Sequence, residues 1–426
     1  MSTALVTTTN KPEPSRLRLA SKKSRFLYQF LLYLSPIILL TAIFPFVTPR
    51  LAEVRVGGSE LTQIILAVSI TVPWMSQSIC LPIYRSMTDL LGERDVEACM
   101  RRFSEYWLST CLAVLPILVV FAIPFYFTLG WSPTALFAFL LLGVFNMAFG
   151  QLLVIANLPT NSRNSWASAW ICYALALLIF PTIWFLPPLM GTLVILITLR
   201  KHLKYLGAFK KLNYSIIAQE MLRGFLLGAV LWADKYILFI AQGGQMDVVA
   251  VYMGLVPAVI AYNYFFAAEA NQVDRAVAKL RVSLQSHGYR QVQNFSGKVE
   301  RRVLAATRRT LVLAGVCSAV VGLIIAVFTP GSLILAFCVI VASWLFLAVT
   351  IYNYQVDYIG SKTIPQVIGL AHLLLCIMAF ALIPHTGGYV LIMLGELVLV
   401  AISYWAFRRT WASPAYDLFW RQAMTW

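Results

Sequence analysis

The chain has 426 residues, of which 60% are hydrophobic and only 12% are charged, and its formal net charge is +16. Soluble proteins carry about a quarter charged residues, so this composition excludes an ordinary soluble domain and indicates a polytopic membrane protein. In such a protein an excess of positive charge is typical of inner loops, so nucleic acid is not an expected partner.

A basic tail at residues 1–25 is followed by a series of long apolar runs. A bilayer core requires roughly 20 apolar residues per helix, and the first run is too long for a cleaved signal peptide. We therefore predict an all-α polytopic membrane protein with about 12 transmembrane helices. The predicted spans 1 to 12 cover about 26–49, 60–84, 106–129, 132–157, 166–185, 187–203, 215–241, 247–270, 310–328, 331–354, 364–383 and 387–407.

The basic residues give these spans a direction. With the N-terminus inside, all but four of the 33 lysines and arginines fall in inner segments, as the positive-inside rule requires. The linker 204–214 separates an N-lobe, 26–203, from a C-lobe, 215–407, and residues 408–426 form a second tail. Both termini and the linker are thus predicted to be cytoplasmic, with six spans in each lobe.

Two short patterns occur at matching places in the two lobes. Span 2 contains Val72–Pro73 and span 8 contains Val256–Pro257, and the pattern Gly-x-Arg-x-Val follows each span, at 92–96 and 288–292. Transporters are frequently built from two related halves around a central site. The patterns favour a duplication, with the two lobes related by a pseudo-two-fold axis.

Span 7 holds four ionisable residues, which are candidates for function because a charge at membrane depth is costly unless it is paired or hydrated. Glu220 and Arg223 are three residues apart and can pair on one helix face. Asp234 and Lys235 lie about 100° apart around the helix, so we expect each to find water, a headgroup or a partner on another span. Lys235 is expected to extend towards the outer surface and Asp234 to face a cavity. The alternative is a structural ion pair.

Further candidates lie on spans 2 and 8. Span 2 is rich in polar residues, among them Gln77, and Arg85 lies at its inner end. Tyr262 and Asn263 belong to a Tyr-Asn-Tyr triplet that recurs at 352–354; such groups suit a sugar, although an aromatic belt at the membrane interface is the alternative. On span 7, the Gly224-x-x-x-Gly228 pattern allows another helix to approach closely.

No catalytic signature is present. The sequence lacks a Gly-x-x-x-x-Gly-Lys phosphate loop and a Gly-x-Gly-x-x-Gly motif, and its four histidines show no metal-ligand spacing. We therefore expect no catalytic residue, cofactor or metal, and a protein that is not an enzyme. His372 is interpreted as a packed residue of span 11, and Glu396 as a packed protonated acid or part of a cation site.

The loop between spans 8 and 9, at 271–309, combines apolar residues at helical spacing with many basic residues. It predicts two amphipathic helices broken near Gly288. One interpretation is a helix pair lying on anionic lipid. The other is a docking site for a cytoplasmic glycosyltransferase or another subunit of an export complex.

The loop "GERDVEACMRRFSEYW" after span 2, together with the six-plus-six arrangement, resembles the multidrug/oligosaccharidyl-lipid/polysaccharide exporter superfamily. Within it, "LWADKYILF" at 231–239 and the long basic loop are similar to the transport subunits of Pel exopolysaccharide systems. The resemblance implies a bacterial-type inner-membrane protein. It also implies that spans 1, 2, 7 and 8 line a central cavity, which opens alternately to the two sides of the membrane.

The predicted function is export of a polysaccharide or lipid-linked oligosaccharide, with a saccharide cargo and the bilayer as partners. Asp234, Lys235, Arg223 and Arg85 would hold anionic groups of the cargo or bind a coupling ion. A cation-coupled multidrug antiporter of the same architecture is the alternative. A membrane-embedded glycosyl or acyl transferase, with Glu53 and Glu60 as its acids, is a second alternative.

Overall fold

A computed structural model describes residues 15–87, 90, 95–156, 163–208, 210, 213–328, 331 and 333–423. Within these ranges twelve apolar helices follow one another, and we number them as spans 1 to 12. They are Ser15–Ala52, Leu61–Ser86, Val96–Phe127, Pro133–Ala156, Arg163–Ile179, Leu186–Thr198, Tyr214–Ala241, Val248–Tyr264, Tyr289–Phe328, Leu333–Ile359, Thr363–Leu382 and Gly388–Ala412.

The helices confirm the predicted all-α membrane fold. Among the described residues, nine helices are long and apolar enough to cross a bilayer, or ten with span 1, which bends by 60° after Phe44; spans 5 and 6 are shorter. The pseudo-two-fold relation of the lobes stays a prediction, and Gly92 and Arg94 of the first repeated pattern lie outside the described residues.

The structure adds three elements to the predicted spans. Residues 55–60 form a small antiparallel hairpin in which Arg55 pairs with Glu60 around the Gly57–Gly58 turn, where both glycines have positive φ. The helix Asn271–Ser286 continues span 8 through a π-helical turn at Phe265–Ala270. A short helix, Pro414–Ala423, follows span 12 where the sequence predicted only a tail.

The loop 271–309 contains both predicted helices with a break near Gly288, but the second continues into span 9. The first predicted helix is present and ends at Ser286, close to the predicted break. The second is not separate, because a single helix of 40 residues runs from Tyr289 through span 9 to Phe328. The loop is therefore an antiparallel helical hairpin that extends spans 8 and 9.

The two halves of the chain meet where span 2 crosses span 7. A side chain at Gly224 would overlap the backbone of Ser78, and one at Gly228 would overlap the carbonyl of Trp74. The Ser78 hydroxyl donates to Met221 O at 2.9 Å, and Trp74 Nε1 donates to a span 7 carbonyl at the same distance. The two glycines thus allow the close helix approach that their spacing predicted.

Aromatic side chains fill the junction next to this crossing. The Trp74 and Phe121 rings lie 4.9 Å apart edge to face, and Phe121 and Tyr236 lie 5.0 Å apart in the same geometry. Tyr236 Oη donates to the Phe121 carbonyl at 2.6 Å. Packed aromatic groups therefore fill the space between spans 2, 3 and 7.

Candidate functional site

Asp234 and Lys235 form a buried ion pair. Lys235 Nζ lies 3.0 Å from Asp234 Oδ1, and the two side chains are 0% and 1% exposed. Tyr389 Oη of span 12 donates to Asp234 Oδ2 at 3.0 Å, and Lys235 Nζ lies 5.0 Å above the Phe346 ring of span 10. Both charges are thus enclosed by spans 7, 10 and 12.

This pair corrects two sequence-based expectations. Asp234 and Lys235 do bind each other, because the long lysine stem covers the angular offset that separates the two Cβ atoms. Lys235 also does not reach the membrane surface. A fully buried ammonium requires an anion at hydrogen-bond distance, and the adjacent carboxylate provides it.

A second buried pair lies beside the first. His372 Nδ1 of span 11 is 2.5 Å from Glu396 Oε1 of span 12, and both side chains are fully buried. His372 Nε2 is 3.4 Å from the Cys376 sulfur. The Phe346 ring contacts the His372 ring at 4.9 Å, so one ring separates the Lys235 ammonium from the imidazole.

Sequence reasoning missed this pairing. The sequence predicts His372 as a packed residue and Glu396 as a packed protonated acid or part of a cation site. No pattern along the chain joins two residues 24 positions apart on different helices. The available signal was that each is an ionisable residue in an apolar span. Glu396 Oε2 is buried, and it has no hydrogen-bond partner among the described residues.

A small cavity with both apolar and polar lining lies between spans 2, 7, 8 and 10, with a volume of about 30 Å³, which is enough for water. Its polar lining includes Gln77, Tyr262, Asn353 and Asp357. Tyr262 and Gln77 both line it, so two predicted site residues from different halves meet here. The predicted Asn263 does not line the cavity: its amide donates to Val259 O at 3.0 Å in its own helix.

Asn353 is the most unusual group in this cavity. It is fully buried, and neither its amide nitrogen nor its amide oxygen has a hydrogen-bond partner among the residues that the structure describes. An unsatisfied buried polar group costs about 1–3 kcal/mol. Such an amide is suited to a ligand or water that can both donate and accept.

Three charged groups, Asp357, Arg85 and Lys362, surround the Glu220–Arg223 pair. Arg223 Nη1 lies 2.8 Å from Glu220, the pairing that their spacing predicted, and its Nη2 binds the Asp357 carboxylate. Arg85 of span 2 and Lys362, which precedes span 11, lie 3.8 and 3.9 Å from the Glu220 carboxylate. This ionic network joins the first half of the chain to the second.

Comparisons with known proteins identify the fold. No protein-family model matches the sequence, and no curated protein matches it significantly. The solved structure of a MATE protein in complex with MaD5 is 10% identical with a TM-score of 0.52, covering 91% of this chain and 94% of that one. The Vibrio cholerae MATE transporter VcmN in its bent form is 9% identical, with the same TM-score, covering 93% and 99%.

At these identities the likeness shows the fold alone. The shared fold is the one that the predicted superfamily resemblance implies. The closer resemblance to Pel transport subunits stays a prediction. Both neighbours match over nearly their whole length, so the likeness covers both halves of this chain. The chain has the all-helical fold of the MATE transporters.

Proposed function

We propose that the chain is a cation-coupled membrane exporter that works by alternating access. The observation that carries this proposal is the buried Glu396–His372 pair next to Asp234–Lys235, within a fold shared with MATE transporters. Intramembrane carboxylate and imidazole groups typically mark proton or ion pathways. A transporter-type fold also supports a transporter in preference to the transferase alternative.

The proton is the coupling ion that this arrangement suits best. Glu396 and His372 share a short contact of 2.5 Å, and carboxylate and imidazole side chains can both carry a proton. Loss or gain of one proton changes the net charge of a fully buried pair, which is expensive in a dry environment. The packing of spans 11 and 12 around the pair would respond to that change.

Span 7 would transmit this response to the cargo passage. It carries Asp234, which Tyr389 of span 12 contacts, and it also carries Gly224 and Gly228, which touch span 2. A shift of span 12 relative to span 7 would therefore reach the contact between the two halves. In the structure, that contact and the network around Glu220 hold the halves together.

The first candidate cargo is a small drug-like molecule, in keeping with the MATE-type fold. A lipid-linked or polymeric saccharide is the second candidate, and the uncharged polar groups in the lining of the small cavity favour it. Arg223 neutralises Asp357 there, and Gln77, Tyr262 and Asn353 provide uncharged donors and acceptors. Such a lining suits hydroxyl groups better than it suits a cation.

Proteoliposomes with an imposed proton gradient test the proposal. Ethidium, a cationic aromatic dye, and a fluorescent lipid-linked oligosaccharide are the two probes, and empty vesicles are the control. We expect ethidium transport that collapses when a protonophore removes the gradient. Movement of the oligosaccharide alone would select the second cargo, and movement of neither probe above empty vesicles would overturn the proposal.

A further inference from the structure

We infer that the helical hairpin at 271–309 projects from the membrane and is a docking site for an acidic protein. The first argument is length. The helix Tyr289–Phe328 has 40 residues and is therefore about 60 Å long at 1.5 Å per residue. A bilayer core is about 30 Å thick, and the apolar part of this helix follows Arg309. About half of the helix thus extends beyond the core.

The other arm of the hairpin has a matching length. Arg309 forms two bonds to the Glu269 carboxylate, at 2.9 and 2.7 Å, so these two residues lie side by side where the arms leave the apolar region. From Glu269 to Ser286 the first arm is about 26 Å long, and from Arg309 back to Tyr289 the second is about 30 Å. Both arms therefore end at the same height.

The apolar faces of the hairpin are not available to lipid. Val277, Leu280 and Val303 are fully buried, and they pack with residues from the ends of spans 10 and 12 and with Leu418 of the terminal helix. A helix that lies on a membrane must insert its apolar face into the lipid. The hairpin therefore differs from the interfacial helix pair that the sequence suggested.

The outer face of the hairpin is basic. Its exposed cations include Lys279, Arg290 and Lys298. Measured from Arg309 along the helix, Lys298 lies about 17 Å and Arg290 about 29 Å beyond the apolar region. The headgroup layer adds only about 5–8 Å, and the Debye length at physiological salt is about 8 Å. The cations near the tip are thus beyond the attraction of the membrane surface.

Two exposed apolar side chains accompany these charges. Tyr289 is 79% exposed at the tip and Val282 is 61% exposed on the facing arm. Tyrosine and arginine are enriched at protein interfaces, where a ring fills a pocket and complementary charges select the partner. A second copy of this chain is a poor match, because it has 33 basic and only 17 acidic residues. The geometry favours a different protein with an acidic surface.

Site-specific photocrosslinking of the full chain in its native cells tests this inference. A photoreactive p-benzoylphenylalanine replaces Tyr289, and the control places it at Val316, which is exposed on the membrane-spanning part of the same helix. We expect one protein adduct at 289 that is absent at 316. The protein is then identified by mass spectrometry, purified, and titrated against the full chain in nanodiscs.

Charge reversal decides whether the contact is specific. The variant Lys279→Glu/Arg290→Glu/Lys298→Glu should weaken binding about tenfold or more, and so should Tyr289→Ala, which changes no charge. The matched reversal of Arg200, Lys201 and Lys204, exposed residues on the linker side of span 6, should change binding about twofold or less. A phospholipid, RNA or self-adduct at 289, no adduct, or binding insensitive to the hairpin variants would overturn the inference.

Discussion

The Asp234–Lys235 pair shows how a buried charge depends on its immediate neighbours. Desolvation of two charges is offset only when their geometry is good and their remaining hydrogen-bonding capacity is used. Here the carboxylate binds both the ammonium and Tyr389 Oη, and the ammonium also lies over the Phe346 ring. Each residue of the pair is therefore expected to require the other.

Asp234→Asn should destabilise the protein by about 3–5 kcal/mol, because Lys235 is then a buried cation without an anion. The double variant Asp234→Asn/Lys235→Met removes both charges and should recover most of this loss. Thermal unfolding of the purified protein in nanodiscs measures both effects. If Asp234→Asn is as stable as the wild type, Lys235 does not require the Asp234 carboxylate as its partner.

Glu396→Gln should abolish coupling and leave folding intact. The amide fits the same space and can still hydrogen-bond His372, but it cannot exchange a proton. We expect cargo transport in proteoliposomes to lose its dependence on an imposed pH gradient, as the proton-coupled proposal requires. Ser403→Ala, another fully buried polar position on span 12, is the control and should keep that dependence.

Span 7 is the element in which the parts of the site come together. Its N-terminal half carries Glu220 and Arg223, its middle carries the glycines that face span 2, and its C-terminal half carries Asp234. Small residues at a helix crossing let backbones approach closely, and in a membrane such packing replaces the hydrophobic effect as a source of association. The glycines therefore determine how tightly the two halves close.

Gly228→Ala should push span 2 away from span 7, because the new Cβ overlaps the Trp74 carbonyl, a backbone atom. Gly315→Ala on span 9 is the matched control, since its nearest neighbour would be the Trp344 indole nitrogen at 3.7 Å, an ordinary contact. Spin-label distances between the C-terminal end of span 2 and the N-terminal end of span 7 should lengthen or broaden only for Gly228→Ala. Unchanged distances would mean that this crossing does not control the closure.

At the scale of the whole molecule, the two halves are joined by helix packing and by the ionic network around Glu220. Arg85 belongs to the first half, whereas Glu220, Arg223, Asp357 and Lys362 belong to the second. A long-range ion pair that is partly exposed contributes little to stability. Its value for a transporter is that it can break without unfolding either half.

Glu220→Gln should favour opening between the halves on this side, because Arg85 and Lys362 lose their common anion. Hydrogen exchange at the C-terminal end of span 2 and the N-terminal end of span 7 should increase, while Arg223 keeps the Asp357 carboxylate as its partner. Glu97→Gln, which removes an exposed carboxylate paired with His202, is the control and should leave exchange at these ends unchanged. Equal exchange in both variants would argue against a closing role for Glu220.

The apolar runs and the distribution of lysine and arginine by themselves determined the all-α membrane fold and the order of its twelve spans, since a bilayer requires both patterns locally. Local spacing likewise predicted the Glu220–Arg223 pair and the Gly224–Gly228 contact. Tertiary structure alone decided what faces Asp234, that His372 meets Glu396, and that Asn353 opens into a cavity. These contacts join residues on different helices, and the packing of those helices depends on side-chain shapes that no period along the chain records.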